Sequence, residues 1–117
     1  MNRTMKRTMS FLLLTLLVAA TAWAQTGTSS IRGTVLDSQG SVIAGATVTL
    51  TNINTSAARG QTTNKMGVYS FEFISPGEYK LEVEATGFNK STIPNLRALV
   101  GSSTEKTITM SDRKSVV

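Results

Sequence analysis

Glu78, Lys80, Glu82 and Glu84 alternate along one stretch of the chain, which puts three carboxylates and one ammonium on the same side of an extended segment. Residues two apart on a strand face are roughly 6.5 to 7 Å apart, a spacing that paired carboxylates could use for general acid and base work. Lys80 lies among them, however, and nothing nearby marks a pocket. A solvated sheet face is the reading of this stretch. The remaining composition offers little to complete a catalytic site, because the 117 residues include no Cys and no His. That excludes thiol nucleophiles, zinc–thiolate centres, disulfide frameworks, Ser-His-Asp arrangements and His-ligated metals. The sequence therefore predicts no enzyme: no catalytic residue, no metal ligand and no cofactor.

Sugar recognition needs different residues, namely aromatic faces open to solvent. Beyond the first two dozen residues the aromatic side chains are Tyr69, Phe71, Phe73, Tyr79 and Phe88. Tyr69, Phe71, Phe73 and Tyr79 fall on the apolar phase of their segments and are expected in the core, with the Tyr hydroxyls bonded at its rim. Phe88, beside Gly87, is the one candidate for an exposed ligand-binding ring.

These residues sit in a chain that alternates with period two. No window sustains a 3.6-residue repeat, and Gly-containing turns interrupt the pattern at short intervals, the signature of an all-β sandwich or barrel. Strands are predicted over residues 31–36, 46–51, 57–62, 68–73 and 78–84, with further strands over 88–93 and 106–110 joined by a loop over 94–104. In the second strand Ala46, Val48 and Leu50 face one way and three Thr the other; in the fifth, Tyr79, Leu81 and Val83 point inward. Turns are predicted at Asp37-Ser38-Gln39-Gly40, with Asp at the first position and Gly at the fourth, and at Thr63-Asn64-Lys65-Met66-Gly67. The Thr-rich segment 57–62 is the candidate sheet edge, where unpaired backbone groups could take a partner strand and Arg59 could instead protect them.

The N-terminus differs from the rest. Arg3, Lys6 and Arg7 precede an uncharged apolar run beginning at Phe11, and Ala22-Trp23-Ala24 has the small-x-small form of a cleavage site. The run to Ala24 is about 14 residues, short of the roughly 20 that a spanning helix needs. A cleaved signal helix over residues 1–24 is expected, with a retained anchor as the competing reading. Cleavage before Gln25 would leave 93 residues and lower the net charge from +5 to +2. No basic stripe remains, so nucleic acid is not an expected partner. Secretion across the inner membrane to a periplasmic or outer-membrane location fits a Cys-free exported chain.

Several blocks, taken together, resemble a known family. Gly33-Thr34-Val35-Leu36-Asp37-Ser38-Gln39-Gly40 is followed by Ala44-Gly45-Ala46-Thr47-Val48-Thr49-Leu50. Thr63-Asn64-Lys65-Met66-Gly67-Val68-Tyr69-Ser70-Phe71, Ser75-Pro76-Gly77-Glu78-Tyr79 and Gly87-Phe88 come next, in the order and at the spacing of the carboxypeptidase-regulatory-like domain. Ala44 stands where that family often has Pro, and Asn64 where it often has Asp. The resemblance implies a transthyretin-like antiparallel Greek-key β-sandwich of about seven strands over residues 30–110, with carbohydrate-binding-like relatives. Residues 25–29 would then be a linker and 111–117 a frayed tail. It also implies an association with TonB-dependent outer-membrane receptors of the Oar-like kind, whose N-terminal extensions carry such domains.

A transmembrane barrel needs at least eight strands of about ten residues, so this chain is expected to be a stand-alone secreted domain or the front of a receptor. The expected role is a non-catalytic envelope module. Its partner would be an envelope protein or a receptor's plug or barrel, with carbohydrate as the alternative ligand. Contact with a membrane would come only through the signal segment or an associated receptor. Asn54-Thr55-Ser56 and Asn89-Lys90-Ser91 match the glycosylation acceptor pattern by chance.

Overall fold

A computed structural model describes residues 27–113. The expected signal segment, the first residues of the expected linker and the last four residues of the expected tail lie outside the described residues. Eight strands follow in order: β1 (Ser29–Leu36), β2 (Thr47–Asn52), β3 (Ala58–Thr62), β4 (Val68–Ile74), β5 (Gly77–Glu84), β6 (Ser91–Ala98), β7 (Ser103–Glu105) and β8 (Ile108–Thr109). They form two sheets. One has the order β4-β1-β7, with β8 also on β1; the other has the order β3-β2-β5-β6. The inner faces bury Ile31, Val35, Tyr69 and Phe71 from the first sheet against Val48, Leu50, Leu81 and Val83 from the second. The all-β sandwich expected from the sequence is therefore the observed fold.

The alternation of β5 is kept: Tyr79, Leu81 and Val83 are buried, and its charged residues lie on the solvent side. Both turns form as the sequence predicts. Asp37 Oδ1 accepts from the amides of Gln39 and Ser41, and Asn64 Oδ1 accepts from those of Met66 and Val68. Gly67 closes the second turn with φ of 74°, where an L side chain would be strained.

Three expectations need correction. Phe73 is not in the core. The register of β4 against β1 steps from Phe71 opposite Ile31 to Ile74 opposite Ser29, so β4 carries one extra residue. This bulge turns Phe73 outward and delivers Ile74 to the interior. The strand predicted over 88–93 instead runs from Ser91 to Ala98, through Pro94. Its register against β5 steps from Ile93 to Leu96 across two residues of β5, so a bulge again breaks the alternation. Proline is tolerated there because β6 is an edge strand.

The first sheet, finally, is mixed rather than purely antiparallel. β7, which lies inside the predicted 94–104 loop and its exit, runs parallel to β1, as does β8, the remnant of the predicted 106–110 strand. The chain crosses between sheets at residues 99–102 and so re-enters beside β1 in the same direction.

Where β7 gives way to β8, Tyr69 reaches over Gly33 and donates to the Lys106 carbonyl at 2.6 Å. Lys106 N–H bonds Arg32 O, so both backbone groups of Lys106 are held. Burial pushes the Tyr69 phenol up to about 12, so it stays protonated as a donor at ordinary pH.

Candidate interaction surface

The acidic stretch lies on the outer face of the second sheet, as the sequence indicates. Lys80 Nζ is 2.9 Å from Glu82 Oε1, and Lys90 lies between Glu82 and Glu84, bonding the first closely and the second at 3.4 Å. Hydrogen bonds from Lys90, then Lys80, hold the Glu82 carboxyl below the usual carboxylate range, and hydrogen bonds to Glu82, then Glu84, raise Lys90. A general acid near neutral pH needs the opposite shift. Glu78 pairs with Arg97 at 3.3 Å, on the neighbouring strand. Among the described residues, no group of three Asp or Glu converges as a metal site would require.

Phe88, the sequence's candidate ring, is half-buried and packs against the core. It lines an open cleft of about 540 Å³ with Thr47, Glu84, Lys90 and Arg113, at the end of the sandwich where β1 finishes and β2 starts. The structure thus places Phe88 at the wall of a polar cleft, with part of its ring committed to packing.

Phe73 is the aromatic side chain that the structure presents to solvent. It is 82% exposed and has φ of 54°, in the left-handed region that a bulky side chain rarely adopts. It stands between two grooves. One, of about 280 Å³, is lined by Asn52, Thr55, Arg59, Ser75 and Tyr79; the other, of about 300 Å³, by Thr28, Ser30, Glu72, Ser102 and Ser103. Tyr79 Oη donates to Ser75 O at 2.5 Å and so braces the turn behind the first groove.

The same end of the molecule exposes Leu99 (57%) and Val100 (65%) in the 99–102 crossing, close to where the described chain begins. Strict alternation hid Phe73. The available signal was the three-residue step from Phe71 to Ile74, which puts an apolar residue in the core only if the strand bulges.

At the flank between the sheets, two polar side chains of β3 close the edge of β4. Arg59 Nη1 donates to Glu72 O at 3.0 Å, and Gln61 Oε1 accepts from Ser70 N–H. Asn64 accepts from Val68 N–H through its side chain and donates its own amide to Val68 O at 3.1 Å. The outward groups of β4 are thereby largely satisfied from within the domain. Arg59, which the sequence offered as the alternative protector of its own strand's edge, bonds instead to β4 of the other sheet.

Comparison with known proteins places these features in context. Residues 30–111 match the carboxypeptidase regulatory-like domain. The fold is similar to that of a putative carbohydrate binding protein from Bacteroides uniformis (TM-score 0.60, 14% identity, 73% of this chain and 42% of that one). It is similar also to GBS52, the minor pilin of Streptococcus agalactiae (TM-score 0.60, 13% identity, 78% and 47%). A third likeness is to the catechol 1,2 dioxygenase of Acinetobacter radioresistens (TM-score 0.58, 13% identity, 79% and 54%). At these identities the shared property is the fold, and this chain spans about half the length of each structure. The search of curated proteins found no significant match.

Proposed function

The chain belongs to the carboxypeptidase regulatory-like domain family, and from that membership we propose that it is a non-catalytic recognition module of the cell envelope. It acts after export, in the periplasm or at the outer membrane, as the N-terminal accessory domain of a TonB-dependent receptor or as a stand-alone relative of one. The observation that carries this reading is Phe73. Holding a bulky residue in the left-handed region costs on the order of 1–2 kcal/mol, and the exposed ring recovers little of that by burial. Strain kept at an exposed aromatic residue is characteristic of binding sites, where large rings supply most of the contact energy.

A second reading, saccharide binding, is favoured by the lining of the two grooves. Ser, Thr and Asn side chains flank the ring on both sides, which is the arrangement a sugar needs for stacking and for hydrogen bonds to its hydroxyls. The sandwich shared with a putative carbohydrate binding protein agrees with it.

One experiment tests both. The purified mature chain and its Phe73→Asn and Phe88→Ala variants are compared for retention on a polysaccharide panel and for binding to solubilised envelope proteins. Loss at least ten-fold in Phe73→Asn, with Phe88→Ala near wild type, supports the site; the assay that shows the loss names the ligand class. Equal binding by wild type and Phe73→Asn in both assays contradicts it.

A further inference from the structure

The other edge at that flank is left open. β3 is the outermost strand of its sheet, and all five of its residues are exposed. Its register sets Arg59 opposite Leu50 and Gln61 opposite Val48. The bonds from Thr63 N to Ala46 O and from Asn52 N to Ala57 O fix the phase of the ladder, so that the odd-numbered residues turn their backbone toward β2. Ala58, Gly60 and Thr62 therefore turn their N–H and C=O groups away from the sheet, and these groups have no hydrogen bond within the described residues.

Edge strands are ordinarily blunted by an outward charge, a proline or a bulge. Here the outward-phase residues are Ala, Gly and Thr, and the strand's one charge, Arg59, is drawn back to Glu72 O. A Cβ at Gly60 would meet nothing within 4 Å, so the outer face of the strand is open at its middle as well.

We propose that β3 pairs with β3 of a second copy of this chain, antiparallel and centred on Gly60, joining two four-stranded sheets into one. The outward groups of residues 58, 60 and 62 are symmetric about Gly60, so the strand is its own complement across a two-fold axis there, which points to a second copy as the occupant and fixes this register. Centred on Gly60, Ala58 faces Thr62 of the second copy, and Arg59 faces Gln61 of the second copy. Centring on Arg59 would set two guanidiniums opposite each other, which is unfavourable. The two-fold arrangement satisfies the outward donors and acceptors of all three residues in both copies at once. The inference stands apart from Phe73, because it uses only the backbone of β3.

The test is the molecular mass of the purified mature chain by sedimentation, from about 10 µM to 1 mM, the range in which an interface smaller than the standard size dissociates. The mass is expected to rise toward that of a dimer. Gly60→Pro removes an outward donor without taking a bond from the β2 ladder, and should hold the monomer mass throughout. A wild-type chain that remains monomeric at the highest concentration overturns the proposal, as does a folded Gly60→Pro variant that dimerises like wild type.

Register is tested independently of that variant, using the absence of native Cys. Residues in a hydrogen-bonded antiparallel pair have Cα atoms about 5.5 Å apart, within disulfide reach, whereas residue 58 would lie roughly 13 Å from its own copy. Gly60→Cys should cross-link under mild oxidation at least ten-fold faster than Ala58→Cys. Equal rates contradict the register.

Discussion

Phe73 and Gly33 show how single residues are constrained in opposite ways. At Phe73 the backbone is strained and the side chain is in solvent, so a residue that tolerates the left-handed region should relieve cost without losing burial. Phe73→Asn is expected to raise stability by about 1 kcal/mol in urea unfolding. At Gly33 the constraint is space. A Cβ there would lie 1.8 Å from Lys106 O and 2.6 Å from the Tyr69 hydroxyl, so it collides with the backbone of the β7–β8 join and breaks the bond that crosses it. Gly33→Ala should therefore destabilise by about 3 kcal/mol, the upper end of the usual overpacking range, read as a lowered urea midpoint. Neither constraint was legible in the sequence. Gly33 appeared only as a block residue of the family resemblance, and Phe73 matched the apolar phase of its strand.

At the scale of the strands, what the sequence revealed and what it hid have one cause. β5 has no bulge within its run of alternating side chains, and its buried and exposed residues could be read from Tyr79, Leu81, Val83 and the charges between them. β4 and β6 each gain an extra residue, at 72–73 and 94–95, which resets the phase so that a period-two reading fails beyond that point. The parallel β7 and β8 are too short, at three and two residues, to leave a pattern.

The charges between β5 and β6 have their own consequence. Glu82 is held below its usual range by Lys90 and Lys80, so its stabilising contribution is present above the unfolded carboxylate value and is lost as pH falls through the lowered folded value. Lys90 is raised, so its share is complete below the ordinary lysine value and fades as pH climbs through the raised one. Urea midpoints followed with pH should show a wild-type advantage over Glu82→Gln near neutrality that closes on acidification, and that shrinks with added salt because the pairs face solvent.

For the molecule as a whole, the sandwich sorts its features by end and by flank. The described chain enters at the end that carries Phe73, Leu99 and Val100, and leaves at the opposite end beside the Phe88 cleft. One flank has β4 closed by Arg59 and Gln61 with β3 left open beside it. The fold class, the core of β2 and β5, and both Asx turns followed from composition and alternation. The site did not, because exposure of an aromatic ring depends on a bulge that only the pairing of β4 with β1 reveals.

The measurement that bears most directly on the recognition reading is photocrosslinking in the source cell's envelope, with a photoreactive phenylalanine analogue at position 73 and, as control, at position 65 in the turn at the far end. The account predicts a discrete protein or saccharide adduct from position 73 and none from position 65. No adduct from position 73, or the same adduct from both, would contradict it.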